Sequence, residues 1–140
     1  MTDAYKLGAQ ATDTLTGRNV KVVSAYFASG PASSTAYPFQ FGAANYQVTA
    51  GKTFYITGIF LYQSAIFGNS TYLQLVYATA ANLTTGQVVL ATLPQLVGSA
   101  PVVIPVCGLS VPASDYVGVI NAVAASGGQA FSIGVIGYEA

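Results

Sequence analysis

The chain has 140 residues, a formal net charge of zero and eight charged side chains, so it is 6% charged where a typical soluble domain is about 25% charged. Without net charge or a basic cluster it lacks what a phosphate backbone requires, so we expect no nucleic-acid partner. Histidine is absent and there is one cysteine, which excludes His-dependent nucleophiles and zinc spacings. We therefore predict no enzymatic activity, no metal and no cofactor.

Residues 1–17 differ from the rest of the chain, because they are more charged, rich in Thr and Ala, and without a strand pattern. We predict an N-terminal arm here, followed by a single domain of residues 18–140. If the arm lies along a neighbouring subunit, Tyr5 and Leu7 are its expected anchors; the alternative is a frayed terminus. The first eight residues hold no apolar signal core, so we expect synthesis in a host cytoplasm.

The rest of the chain follows a β pattern. Segments rich in Val, Ile, Thr, Tyr and Phe alternate with Gly, Pro, Asn and Ser turns at intervals of roughly ten to fifteen residues. The predicted strands are Asn19–Tyr26, Phe39–Val48 (interrupted), Thr53–Gln63, Thr71–Ala78, Gln87–Leu93, Val102–Val106, Tyr116–Val123 and Gln129–Gly137. One short helix is considered at Ala78–Leu83. The pattern predicts an all-β, antiparallel β-sandwich of about eight strands, jelly-roll-like, in one domain.

Several predicted strands are apolar on both faces, and Thr53–Gln63 is the clearest example. An antiparallel strand with one solvated face should alternate between apolar and polar residues. We therefore expect the outer face of such strands to be covered, either by a loop or by another subunit. Five strand residues are predicted to mediate association: Tyr55, Leu61, Tyr62, Val117 and Val119.

The 62 residues from Thr53 to Ser114 contain no charged side chain. Such a stretch indicates either a membrane protein or a surface covered by other protein, since soluble surfaces are roughly 25–35% charged. Its most hydrophobic window, Val88–Cys107, contains three prolines, and each would cost a helix roughly 3 kcal/mol. We therefore expect no membrane partner and favour a surface covered by protein.

Three types of side chain raise the question of other roles. Cys107 stands in an apolar stretch and is predicted to be buried. Asp115 and Glu139 could form a carboxylate pair for glycoside hydrolysis, but with four acids in the chain we do not predict one. The ten tyrosines suit strands and interfaces, and a cluster of them could also stack against sugars.

Two stretches resemble a known class of protein. One is Val111-Pro-Ala-Ser-Asp-Tyr-Val-Gly-Val119, with the Ser126-Gly-Gly turn and the strand Phe131–Glu139 after it; the other is Thr49-Ala-Gly-Lys-Thr-Phe-Tyr-Ile-Thr57. Together, over residues 48–140, they are similar to small jelly-roll virion proteins of tailed bacteriophages, which decorate or cement capsids or sit in head fibres and tails. The chain departs from the commoner pattern at Ser114-Asp115, where Gly-Lys is usual. The resemblance provides no catalytic residues.

Composition and resemblance together predict a non-enzymatic virion protein on the capsid surface. We expect it to self-associate, as a trimer, and to bind the major capsid protein or another virion protein. Two alternatives stay open: a carbohydrate- or receptor-binding module of a phage tail or fibre, and a non-viral shell or sheath subunit.

Overall fold

A computed structural model describes residues 10–12, 19–27, 35–63, 72–93, 101–121 and 131–140. These residues form strands and turns, without a helix. The strands are β1 (Gln10–Thr12), β2 (Asn19–Phe27), β3 (Ala36–Pro38), β4 (Gln40–Phe41), β5 (Ala44–Asn45), β6 (Phe54–Gln63), β7 (Leu73–Ala78), β8 (Val88–Leu93), β9 (Val102–Val111), β10 (Tyr116–Asn121) and β11 (Phe131–Glu139). In this part of the chain, therefore, no helix is present that could cross a membrane.

The strands form two antiparallel sheets. The large sheet has the order β5-β4-β2-β11-β6-β9, with β1 paired to β2 as a seventh strand, and the small sheet has the order β3-β10-β7-β8. β11 pairs with the whole of β2 along one edge, so β1 and β4 share the other edge. The predicted all-β sandwich is confirmed.

Eight of the strands pair in a nested order. β7 pairs with β8, β6 with β9, β3 with β10, and β2 with β11. The chain therefore runs outward along one arm of a long hairpin and returns along the other. Successive pairs fall alternately in the small and the large sheet, so the hairpin is rolled into two layers.

The core lies between the two layers, as the alternation of apolar residues requires. The large sheet supplies Val23, Phe54, Ile56, Ile59, Leu61, Val111, Phe131, Ile133 and Val135, and the small sheet supplies Leu73, Leu75, Leu93, Val117 and Val119. Phe39, Tyr46 and Val48 close one side, from the segment that crosses between the sheets. Full burial of each such side chain contributes roughly 1.5–3 kcal/mol.

Four local expectations change. The helix considered at Ala78–Leu83 is wrong: the residues after Ala78 form a turn, in which Leu83 has a φ of 56° and the side chain of Asn82 accepts the Thr84 N–H at 3.0 Å. The strand predicted to end at Val106 continues to Val111. The interrupted strand Phe39–Val48 is two short strands, β4 and β5.

The fourth change concerns the predicted arm. Gln10–Thr12 lies within it and pairs with Asn19–Lys21, so this part belongs to the large sheet. Tyr5 and Leu7 lie outside the described residues.

Candidate interaction surface

A β-bulge in β6 decides which side chains face the core. Opposite β11, Ile56 pairs with Gly137 and Gly58 pairs with Ile136, so Thr57 is an extra residue between them. Because of the extra residue, the in–out alternation of the strand reverses. Four side chains from the two sides of the bulge all point into the core: Phe54, Ile56, Ile59 and Leu61. The bulge therefore accounts for the mixed apolar pattern of this strand, which alternation alone had assigned to two covered faces.

The side chains that point away from the core form a broad surface on the large sheet, which we call the tyrosine face. It runs across β2, β11, β6 and β9, following the pairing register of these strands. Its apolar members are Val20, Val22, Tyr26, Tyr55, Phe60, Tyr62, Val103, Ile136 and Tyr138. None of these side chains is charged.

Aromatic contacts order the tyrosine face. Tyr55 and Tyr138, neighbours across β6 and β11, stack with their ring centroids 5.4 Å apart and their planes at 26°. The ring of Phe60 lies over Gly134, where a Cβ atom would collide with it. Tyr55 is nevertheless 40% exposed and Val103 is 60% exposed, so the face presents apolar surface to solvent.

The outer face of the small sheet is arranged differently, because the chain covers part of it itself. The turn between β7 and β8 places Leu83, which is fully buried, against Val76 and Ala78. A methyl group on Gly118 would meet the Leu83 side chain and the backbone of Tyr37. This covered patch explains the apolar outer residues of β7 and β10 without a second subunit.

A charged cluster occupies the inner side of the large sheet at one end of the sandwich. The Lys21 ammonium lies 2.9 Å from the Glu139 carboxylate, and both side chains are largely buried. The Tyr46 hydroxyl donates a 2.7 Å hydrogen bond to the same carboxylate, and the Thr49 N–H donates another at 3.1 Å. Lys21 also lies 5.2 Å from the centroid of the Tyr46 ring. The cluster ties the last strand to β2 and to the segment that crosses between the sheets.

The cluster changes the titration of two groups. Burial alone would raise the pKa of Glu139, but hydrogen bonds from Tyr46, Thr49 and Lys21 outweigh it and lower the pKa to about 2. Burial, together with the hydrogen bond and the negative charge of Glu139, raises the pKa of the Tyr46 phenol. Glu139 is therefore held as a carboxylate, which makes it a structural anion.

The residues predicted to mediate association fall into two groups. Tyr55 and Tyr62 lie on the tyrosine face, with Tyr62 half-buried. Leu61, Val117 and Val119 are instead core residues, with 0–1% of their surface exposed. This corrects their assignment: their side chains pack between the two sheets and present no surface to a partner.

Cys107 is also corrected, because its thiol is exposed. In β9, Pro105 pairs with Gly58 and Leu109 with Ile56, so three residues of β9 lie opposite the single bulged residue of β6. Cys107 is the middle residue of this bulge, next to Gly108 with its φ of 81°. The prediction relied on the apolar residues before Cys107 in the chain, and these do not show that a bulge follows them.

Sequence reasoning missed several partners in these clusters. Tyr138 and Ile136 join Tyr55 only through strand pairing, and Lys21 is 118 positions from Glu139 in the chain.

No group of three or more potential metal ligands occurs among the described residues. Comparisons with protein families, with curated proteins and with solved structures gave no match. The surface is therefore interpreted from its own geometry.

Proposed function

We propose that this chain is a non-enzymatic structural virion protein of the capsid-decoration type, which self-associates as a trimer and binds the major capsid protein. The observation that carries the proposal is the tyrosine face, an uncharged and aromatic surface across four strands. Protein interfaces are depleted in charge at their centre and enriched in aromatic residues. Tyrosine suits such a place because its ring is apolar and its hydroxyl can find a partner or water.

The topology supports the class to which the sequence is similar. Nested pairing of the first long strand with the last, rolled into two sheets, is the arrangement expected of a jelly roll built from two Greek keys. The jelly-roll interpretation thus agrees with the resemblance of residues 48–140 to small phage virion proteins. A jelly roll hosts many functions, so the topology supports the proposal only together with the surface.

The size of the tyrosine face indicates how it would be used. Four strands spaced about 4.8 Å apart, each contributing about seven residues of roughly 3.4 Å, project to an area of roughly 400–500 Å². Each partner in a standard interface buries about 800 Å². The face therefore provides the centre of an interface, and loops or the predicted N-terminal arm would have to provide the rest.

Light scattering coupled to size-exclusion chromatography tests self-association directly. We expect the full chain to elute as a trimer at micromolar concentration. The variant Tyr55→Arg places a charge in the tyrosine face and should weaken association at least about tenfold, because an unpaired charge is costly to bury. Tyr72→Arg is the matched control, since Tyr72 is 41% exposed, Tyr55 is 40% exposed, and Tyr72 lies outside the face.

Two results would overturn self-association through this face. One is a monomeric wild type at micromolar concentration, and the other is equal weakening by both arginine variants. Attachment to a particle is tested by co-sedimentation with capsids. Because Gln10–Thr12 is part of the sheet, the truncation that tests the arm removes residues 1–9. We expect it to weaken co-sedimentation while leaving the unfolding transition unchanged.

A further inference from the structure

A small cavity opens beside the edge of β2, away from the stacked tyrosines Tyr55 and Tyr138. Its volume is about 150 Å³, and it is lined by Ala25, Tyr26, Tyr37, Pro38 and Gln40. A cavity of about this volume is large enough to hold one benzene-sized ring. We infer that it is a binding site for one neutral sugar ring, a function beyond the proposed assembly role.

The chemistry of the lining selects the ligand class. None of the described residues that line the cavity is charged, so they offer no counter-ion to a charged ligand. The Tyr26 and Tyr37 rings offer apolar faces, against which the C–H face of a sugar ring can pack. The Gln40 amide both donates and accepts hydrogen bonds, as sugar hydroxyls do. The two needs of a neutral sugar ring, an apolar wall and two-way hydrogen bonding, are therefore met in one place.

The walls are fixed by both sheets before any ligand binds. Tyr37 and Pro38 belong to β3, which pairs with β10 in the small sheet. Gln40 belongs to β4 and pairs with Ser24 in the large sheet. Phe39, which links β3 to β4 in the chain, is fully buried, and its N–H donates a 2.9 Å hydrogen bond to the Val117 carbonyl. A wall ordered in advance lowers the entropic cost of binding.

The two tyrosines differ in how they are held. Tyr37 is half-buried; burial raises the pKa of its phenol, and the Thr35 side chain hydrogen-bonds it, which partly offsets that rise. Tyr26 is 66% exposed, the largest fraction among the exposed large apolar side chains of the described residues. The cavity therefore has one fixed aromatic wall and one aromatic side chain standing in solvent. A ligand ring packed against Tyr26 would remove apolar surface from water.

A proline ring of a partner peptide is the competing occupant, because aromatic-lined grooves also take proline-rich segments. The proline side chain has no hydrogen-bonding group. It would leave the Gln40 side chain without a ligand partner, whereas a hydroxylated ring would engage it. The lining therefore favours the sugar.

The test is a nuclear magnetic resonance titration of the full-length protein with the methyl glycosides of glucose, galactose and mannose at millimolar concentration. We expect saturable shifts of the Ala25 and Gln40 resonances with at least one of them. Tyr26→Ala should weaken that binding at least about tenfold. Tyr72→Ala, an exposed tyrosine outside the cavity, is the matched control and should leave binding unchanged. Gln40→Leu preserves the size of the wall and should also weaken binding, with folding checked by circular dichroism.

Three outcomes would overturn the inference. They are no saturable shift with any of the three glycosides, equal weakening by the two tyrosine variants, and saturation by a proline-rich peptide in the absence of sugar binding. Because Tyr26 also lies on the outer face of the large sheet, on the same side as Tyr62, light scattering of Tyr26→Ala separates a loss of sugar binding from a change in association.

Discussion

The outer faces of the two sheets differ in what lies over them, although both are apolar in sequence. On the small sheet, the β7–β8 turn folds back and places Leu83 over Val76, with its side chain against Gly118. On the large sheet, Tyr55 and Tyr138 stack on each other and stay partly exposed. The difference shows that a two-sided apolar strand is not by itself the mark of an interface. It is a candidate interface only where the chain does not supply its own cover.

The largest expected effect is a difference in the free energy of unfolding between substitutions on the two outer faces. Leu83→Ala removes a fully buried side chain and should lower the free energy of unfolding by about 2–5 kcal/mol. Tyr55→Ala, on the open face, should cost about 0.5–1.5 kcal/mol, the scale of an aromatic pair. Chemical denaturation measures both, with light scattering to fix the oligomeric state. Comparable losses in a monomeric sample would show that the tyrosine face is held as tightly as the covered one.

The next effect is a pH dependence of stability. It arises on the inner side of the large sheet, where Lys21 and Glu139 lie, and is not expected from the uncharged outer side. The folded pKa of Glu139, about 2, is below the ordinary value of 4.5. The contribution of the Glu139 carboxylate to the free energy of unfolding is therefore fully present above about pH 5 and is lost as the pH falls toward 2. We expect the wild type to lose about 2–3 kcal/mol more than Glu139→Gln between pH 6 and pH 2.

Denaturation curves of the two proteins across this pH range provide the measurement. Glu139→Gln is the appropriate control because it keeps the shape of the side chain and cannot titrate. Parallel pH profiles for the two proteins would contradict the role given to the carboxylate.

The smallest effect compares one glycine from each outer face. A Cβ on Gly118 would meet the Tyr37 carbonyl and lie 2.5 Å from Leu83 Cδ1, whereas a Cβ on Gly58 would have its nearest neighbours at 3.9 Å. Gly118→Ala should therefore cost about 1–3 kcal/mol, since backbone atoms must move. Gly58→Ala should change stability by about 0.5 kcal/mol or less. Thermal unfolding of the two variants checks this, and equal shifts in Tm would mean that the covered patch can open at little cost.

Much of the fold could be predicted because it depends on local patterns. Val-, Ile- and Tyr-rich segments bounded by turns located most of the long strands, and the absence of a helical period excluded a bundle. One cause of failure was strand irregularity. Alternation along a strand assigns faces correctly only if the strand is regular, and β6 and β9 are not regular at Thr57 and Cys107. Alternation therefore assigns Leu61 to a surface, and the apolar stretch before Cys107 does not reveal the bulge that exposes it.

The candidate interaction surface was even harder to predict from the sequence than the fold. Tyr55 was predicted from its own strand, but its partner Tyr138 comes from a strand 83 positions further along the chain, through pairing. Val117 and Val119 appeared suited to association because the pattern could not show that Leu73 and Leu75 lie in the same core layer. The cavity beside β2 is lined by residues from both sheets, and no local sequence pattern predicts which residues of two sheets lie side by side.

The sequence by itself determined the class of the fold and the scarcity of charge, because both follow from composition and from the turn residues that bound each strand. Tertiary structure decided which apolar side chains lie in the core, which lie in the covered patch of the small sheet and which lie on the tyrosine face. That decision depends on where bulges shift the register between distant strands and on which turn folds back over a sheet. These are properties of pairing between segments, and a single strand does not contain them.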